Sequence, residues 1–174
     1  MAEAARVSLN ARGDGGTGWS KALKISNWAR LHDGKRAYKL LKEQIHGNFY
    51  SNLLSFHPPF QMDANFGYAG GLGEMLMQSH MGFIHLLPAL PPAWSDGSIR
   101  GMLARGSFEV DISWKDGKFS AAKIHSLKGG PCRLLVKNAF TIKHKSQTLK
   151  LTKAANGIAS FSTKPGESYT VSAN

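Results

Sequence analysis

Residues 107–119 read SFEVDISWKDGKF, and the period of this stretch decides what the second half of the chain can be. Phe108, Val110, Ile112 and Trp114 alternate with Glu109, Asp111, Ser113 and Lys115, so an extended strand here has one apolar and one polar side. Asp116-Gly117 follows, a pair suited to the left-handed positions of a tight hairpin turn. Working outward, period two predicts further strands at 121–126, 133–137, 141–145, 158–163 and 168–171, separated by GGP, AANG and KPGE. The expectation for 97–174 is an all-β antiparallel sandwich of roughly six to eight strands, without a helix.

Residues 1–96 carry a different period. In TGWSKALKISNWARL, Trp19, Leu23 and Trp28 recur with Ala22 and Ala29 at three-to-four-residue steps, and Thr17 is suited to cap the helix. A second helix is expected from Asp33, with Ala37, Leu40, Leu41 and Ile45 inward, Lys35, Arg36, Lys39 and Lys42 outward, and Gly47 at its end. A third begins around Tyr68, aligning Leu72, Met75, Leu76 and Ser79, and its Gly70, Gly71 and Gly73 imply a closely packed neighbour. FIHLLPALPPAWSDG is apolar and broken by prolines, which fits a short buried strand followed by a crossing segment. The chain is therefore mixed, with separate α and β regions at 1–96 and 97–174. Three helices with apolar faces and glycine-lined contacts are hard to satisfy among themselves, which implies missing partners or a mate from another chain.

Composition narrows the function classes. The 174 residues are 42% apolar, as in a chain that folds around a core. No run reaches the ~18 apolar residues of a membrane span, and MAEAARVSLNARGDGG lacks a secretory apolar core, so neither membrane insertion nor export can be read from it. The single cysteine, Cys132, excludes an intrachain disulfide and reads as a small buried apolar residue. The seven histidines are dispersed without a metal-ligand spacing, and no metal or other cofactor is expected. The formal charge of +11 is uneven: net +2 in 1–96 and net +9 in 97–174. A solvated basic face without nucleic acid is the expectation, since no aromatic RNA-reading motif accompanies the lysines.

The chemistry concentrates in residues 57–67, HPPFQMDANFG. Adjacent prolines fix φ and stiffen a connector, and the side chains so positioned are an imidazole, two amides, two rings and the carboxylate of Asp63. A carboxylate among rings and amides suits a general base acting on water beside a sugar. The plainer alternative is that Asp63 caps the following helix. Glycoside hydrolysis ordinarily needs two carboxyl groups, ~6.5 to 9.5 Å apart for inversion. Asp14 in RGDGGTGWS and Glu74 in the third helix are the weak candidates for the second, most other acids having plainer assignments. RGDGGTGWS lacks the spacing of a phosphate loop. Trp19 at the helix start fits either core or a sugar-stacking platform.

GDGGTGWSKA, WARLHDG with RAYKLL, NLLSFHPPFQMDANFG, EMLMQSHMGFIHLLPALPPAW and GMLARGSFEVDISWKDG occur in this order, so that roughly residues 12 to 128 resemble the C-terminal end of glycoside hydrolase family 95, the inverting α-L-fucosidases. The resemblance implies the last helices of an (α/α)6 barrel followed by a C-terminal β domain. It maps the catalytic base onto Asp63, while the general-acid glutamate and assisting asparagines lie upstream in family members and have no match here. His57, Gln61, Asn65 and Trp19 are site neighbours, candidates for substrate binding. Leu23, Met62 and Tyr68 depart from the usual Trp, Ile and small residue, as packing changes. The implied function is that of a fragment of an exo-glycosidase removing terminal, α-1,2-linked α-L-fucose, inactive alone. Its partners would be a fucosylated glycan and either the missing barrel or a second copy. Family members are often secreted or periplasmic. The alternative is a non-catalytic module whose basic β domain binds a carbohydrate or polyanion.

Overall fold

A computed structural model describes residues 1–56 and 60–174. In chain order the elements are α1 (Ala2–Arg12), α2 (Gly18–Arg30), α3 (Gly34–Gly47), α4 (Met62–Leu76), β1 (Met77–Gln78), β2 (Ile84–Leu86), β3 (Gly97–Ala104), β4 (Phe108–Lys115), β5 (Lys118–Ser126), β6 (Gly130–Leu135), β7 (Phe140–His144), β8 (Gln147–Thr148), β9 (Thr152–Lys153), β10 (Ala159–Thr163) and β11 (Glu167–Ala173). Two compact units result: Met1–Leu76 with Pro88–Pro92, and Met77–Leu87 with Ala93–Asn174.

In the helical unit, the glycines of α4 explain how α2 and α4 meet. A Cβ on Gly67 would stand 2.8 Å from Cβ of Ala22, and one on Gly71 would stand 2.7 Å from Cγ2 of Ile25. A Cβ on Gly18 would meet Cβ of Ala64 at 3.0 Å. The pairs 18 with 64, 22 with 67 and 25 with 71 ascend together, so α2 and α4 run parallel with their first turns at the same end. Gly70, also expected at the contact, faces open space. In chain order α3 connects the two, burying Ala37, Leu40, Leu41 and Gln44. Asp33 caps it as expected, accepting the Arg36 amide at 2.9 Å.

Several local expectations shift. α4 starts at Met62 instead of Tyr68, because DANF continues the helix ahead of the glycines. α1 was not foreseen; alanine and arginine propensity carries it, and it buries only Leu9. α2 turns Ala22, Ile25, Trp28 and Ala29 inward together with Lys21 and Lys24, leaving Trp19 and Leu23 exposed. Of the expected face Ala22, Trp28 and Ala29 are buried, and Trp19 and Leu23 are not. Thr17 is the N-cap residue by position, yet its side chain makes no cap bond. Gly47 is the last helical residue, and Asn48 is the C-cap.

Gly34 opens α3 against Ala89: a Cβ there would come within 2.3 Å of the Ala89 carbonyl oxygen. Backbone cannot yield cheaply, so Gly34→Ala is expected to cost the helical unit about 1–3 kcal/mol or more. Urea titration followed by circular dichroism at 222 nm reads this unit, which holds all the described helices, and an unchanged midpoint would contradict the contact.

In the β unit, β4 buries Phe108, Val110, Ile112 and Trp114 as its alternation requires. Asp116 and Gly117 take φ of 51° and 68°, the left-handed pair of the β4–β5 hairpin. The strands form a six-stranded sheet, β3-β4-β5-β11-β7-β8, and a five-stranded sheet, β1-β2-β6-β10-β9. All pairings are antiparallel except β2 with β6, which run parallel with Ile84 beside Leu134. Among the described residues every pairing within 97–174 is antiparallel, as expected there; β2 is the short buried strand read from the apolar FIHLL run, and it enters between β1 and β6. Phe161 of β10 and Tyr169 of β11 meet at 5.4 Å between ring centroids, and Ser126 Oγ lies 2.8 Å from Thr163 Oγ1. Cys132 is buried in β6, and that burial pushes its thiol up to about 12, so it serves as apolar core.

Candidate active site

The site is built from the end of the helical unit where α2 and α4 begin. Asp63 occupies the first turn of α4 and is exposed. An acid there also suits the helix macrodipole. Trp19 occupies the first turn of α2, 47% exposed, and the parallel packing sets its helix end beside that of Asp63. His57, Pro58 and Pro59 lie outside the described residues, and with them the expected stiff backbone and the placement of His57.

Asn65 is engaged with its own chain. Its Nδ2 donates to the Leu53 carbonyl at 2.7 Å, and its Oδ1 accepts the Ser55 amide at 3.0 Å. Ser55, buried, donates its Oγ to the Gln61 carbonyl at 2.9 Å. Asn65 therefore ties the 53–55 turn to the start of α4. Leu53 within that turn has φ of 65°, a left-handed conformation costing about 1 kcal/mol or more for a residue with a Cβ. Two side-chain bonds from α4 hold this turn, so Asn65, read from the sequence as a substrate-binding candidate, has both amide atoms engaged with its own chain.

Two buried amides lie under the helix ends. Gln44 Nε2 donates to the Gly18 carbonyl at 3.1 Å and approaches the Ala64 carbonyl at 3.5 Å, linking the first turns of α2 and α4 through the C-terminal end of α3. Sequence reading missed Gln44 because it continued the apolar face through Ile45, which is exposed at 37%. The step 37, 40, 44 was the available signal. Gln61 turns its Oε1 inward, 3.8 Å from where a Cβ on Gly18 would stand. The Oε1 atoms of Gln44 and Gln61 have no hydrogen-bond partner among the described residues.

The other candidate carboxylates are occupied. Asp14 takes two bonds from Arg36, at 3.0 and 2.9 Å, and one from Lys39 at 2.7 Å. Burial alone would raise its carboxyl, but the bonds from Lys39 and Arg36 prevail and hold it below the usual carboxylate range. Asp14 thus anchors the glycine loop to α3, with Lys24 Nζ donating to the Gly15 carbonyl. Because the folded value lies below the unfolded one near ~3.9, its contribution to stability is full above that pH and lost as pH falls through the folded value. Asp14→Asn is expected to destabilise the helical unit at pH 7, with the difference from wild type vanishing in acid; a pH-independent difference in urea midpoint would count against this. Glu74 pairs with Arg30 at 2.7 Å. It lies eleven residues after Asp63, about 16 Å along the helix, beyond the span of an inverting pair.

Tyr50, Leu53, Leu54, Phe56, Phe60, Met62 and Phe66 are all exposed, Phe66 at 69%. Among the described residues no group of three His, Cys, Asp or Glu is placed to hold a metal ion, and no helix is long and apolar enough to cross a membrane.

A glycosidase-type helical unit followed by a β unit is the class these features define, and the chain belongs to glycoside hydrolase family 95. Residues 1–76 match the glycosyl hydrolase family 95 catalytic domain, and residues 78–171 match the glycoside hydrolase family 95 C-terminal domain. Alpha-L-fucosidase 2 of Arabidopsis thaliana is 41% identical over 129 residues, covering 67% of this chain and 15% of that protein. The probable alpha-fucosidases A of Aspergillus niger and Aspergillus oryzae are 35% and 34% identical, covering 67% and 64% of this chain. The chain spans 15 to 18% of the length of these relatives.

Proposed function

We propose that this chain supplies the general-base half of an inverting α-L-fucosidase site. In this reading Asp63 removes a proton from water as it attacks the anomeric carbon of a terminal, α-1,2-linked fucose, while a glutamic acid from an upstream segment protonates the departing oxygen. The observation that carries it is Asp63 exposed in the first turn of α4, at the same helix end as Trp19 and beside the exposed rings of its own segment. Trp19 or Phe66 would stack on a sugar face, Gln61 would border the sugar, and Asn65 would hold the loop that bears the base. His57 belongs to the same proposal. Asp14 and Glu74 are committed to cations, which leaves the acid to be supplied from outside these residues.

The helices then read as the end of an (α/α)6 barrel, with α2 and α4 as neighbouring inner helices and α3 returning outside. The parallel run of α2 and α4 supports this, and the exposed apolar side chains would be covered by the preceding barrel helices or by a second copy. The barrel end is the helical unit, Met1–Leu76 with Pro88–Pro92, and the C-terminal β sandwich is Met77–Leu87 with Ala93–Asn174, a division earlier than the 96/97 boundary read from the sequence. A chimera tests the function: residues 1–174 replacing the matching part of the Arabidopsis thaliana relative should release fucose from a fucosyl-α-1,2-galactoside, whereas residues 1–174 alone should not. Comparable rates from the isolated chain would refute the shared-site reading.

A further inference from the structure

The β unit carries a second feature, independent of Asp63. On the outer side of the six-stranded sheet, β3, β4, β5 and β11 enclose a cavity of about 350 Å³, a volume within the range of small-ligand sites. Strand register sets its walls: Asp111 of β4 stands opposite Lys123 of β5 and Lys123 opposite Thr170 of β11, while Lys143 of β7, opposite Thr170, lies beyond the lining. Lys123 and Lys143 are thus two strand spacings apart, about 10 Å. In the next row Ser113 stands opposite Ala121, and these short side chains leave the hollow open.

A β-bulge between Ile99 and Met102 places Arg100 at the rim, with Gly101 at φ of 71°. Asp111 lies in the same lining, its Oδ1 accepting the Gly101 amide at 2.9 Å, so the cavity holds two cations, Arg100 and Lys123, against one carboxylate. Arg100, Lys123 and Lys143 are exposed, and among the described residues no hydrogen bond or ion pair engages their side chains. In the helical unit, by contrast, Lys21, Arg30, Arg36 and Lys39 each meet a carboxylate. Of the four acids in 97–174, Glu167 is held by His144 and Lys145 in phase with the buried side of β11, and Glu109 and Asp111 share the outer side with Lys123.

We propose that this cleft binds an anionic saccharide through a carboxylate or sulfate, with Arg100 and Lys123 gripping the oxyanion and Lys143 engaging the next charged unit. Ser113 and Thr170 offer hydroxyls to the sugar ring. The row from Asp111 to Lys143 contains no aromatic side chain on which a neutral sugar or a nucleobase would stack, so selection rests on charge and on the planar arginine fork.

Titration of the 174-residue chain with oligogalacturonate, dextran sulfate, neutral dextran and oligothymidylate at low salt tests the proposal. Oligogalacturonate or dextran sulfate should bind in a salt-sensitive way, the preferred one identifying the oxyanion, and neutral dextran should not. Arg100→Ala with Lys123→Ala should weaken binding about tenfold or more. Lys137→Ala with Lys164→Ala, which removes the same charge elsewhere in the unit, should change it less than about twofold. Lys123→Glu should abolish binding, and Asp63→Asn should leave it unchanged. Equal losses from the two double variants, equal affinity for neutral dextran, no binding of either anionic glycan, or tighter binding of oligothymidylate would each overturn it.

Discussion

Asp63→Asn, introduced into the chimera that joins residues 1–174 to the upstream part of the Arabidopsis thaliana relative, is expected to lower fucose release about 10²- to 10⁴-fold. An asparagine keeps the size of the side chain and most of its hydrogen-bonding reach, and it loses the capacity to accept a proton from water. The competing role of Asp63 is structural, since it lies in the first turn of α4. Capping and dipole effects there amount to about 0.3–2 kcal/mol of helix stability, and they would leave turnover nearly intact under conditions where the protein stays folded. Asp63→Ser tests the same separation with a shorter side chain, because serine is tolerated in a helix's first turn at a cost of a few tenths of a kcal/mol to about 1 kcal/mol but is no base at neutral pH. Both variants should keep wild-type helicity at 222 nm and both should lose turnover. If Asp63→Ser retains activity, Asp63 is a helix-end residue and the base lies elsewhere.

Period and turn chemistry made the β region legible. The alternation at 108–114 and the Asp116-Gly117 turn hold in the structure, since each is a local demand that the backbone meets without help from distant residues. The parallel entry of β2 beside β6 was not legible, because a three-residue apolar strand carries no information about its neighbour's direction. In the helices the sequence marked part of the contact, through Ala22 and Gly71, and misplaced the rest. Trp19 and Leu23 follow helical spacing, yet the seam runs through Gly18, Ala22, Gly67 and Gly71, where the absence of side chain permits close approach. The site was legible as a motif but not in its form. HPPFQMDANFG reads as a connector, whereas its second half is the opening of a helix whose Asn65 reaches back to secure the preceding turn.

Gln44 is where stability and the site meet. Its side chain is fully buried and donates to the Gly18 carbonyl, with the Ala64 carbonyl at 3.5 Å, so the helix ends bearing Trp19 and Asp63 share one anchor. Gln44→Ala removes that donor and leaves a void, which together should cost about 2–4 kcal/mol. Gln44→Leu fills the void and removes an Oε1 that has no partner among the described residues, so it should cost less than Gln44→Ala although the Gly18 carbonyl still loses its donor. Urea titration at 222 nm orders the three proteins as wild type, leucine, alanine. Catalysis should follow a different order in the chimera: with the first turns of α2 and α4 no longer tied by a hydrogen bond, Gln44→Leu should lose about as much turnover as Gln44→Ala, despite its greater stability. Since a displacement of about 1 Å at a reacting group costs on the order of 10²-fold, a leucine variant with full activity would show that packing alone positions Asp63.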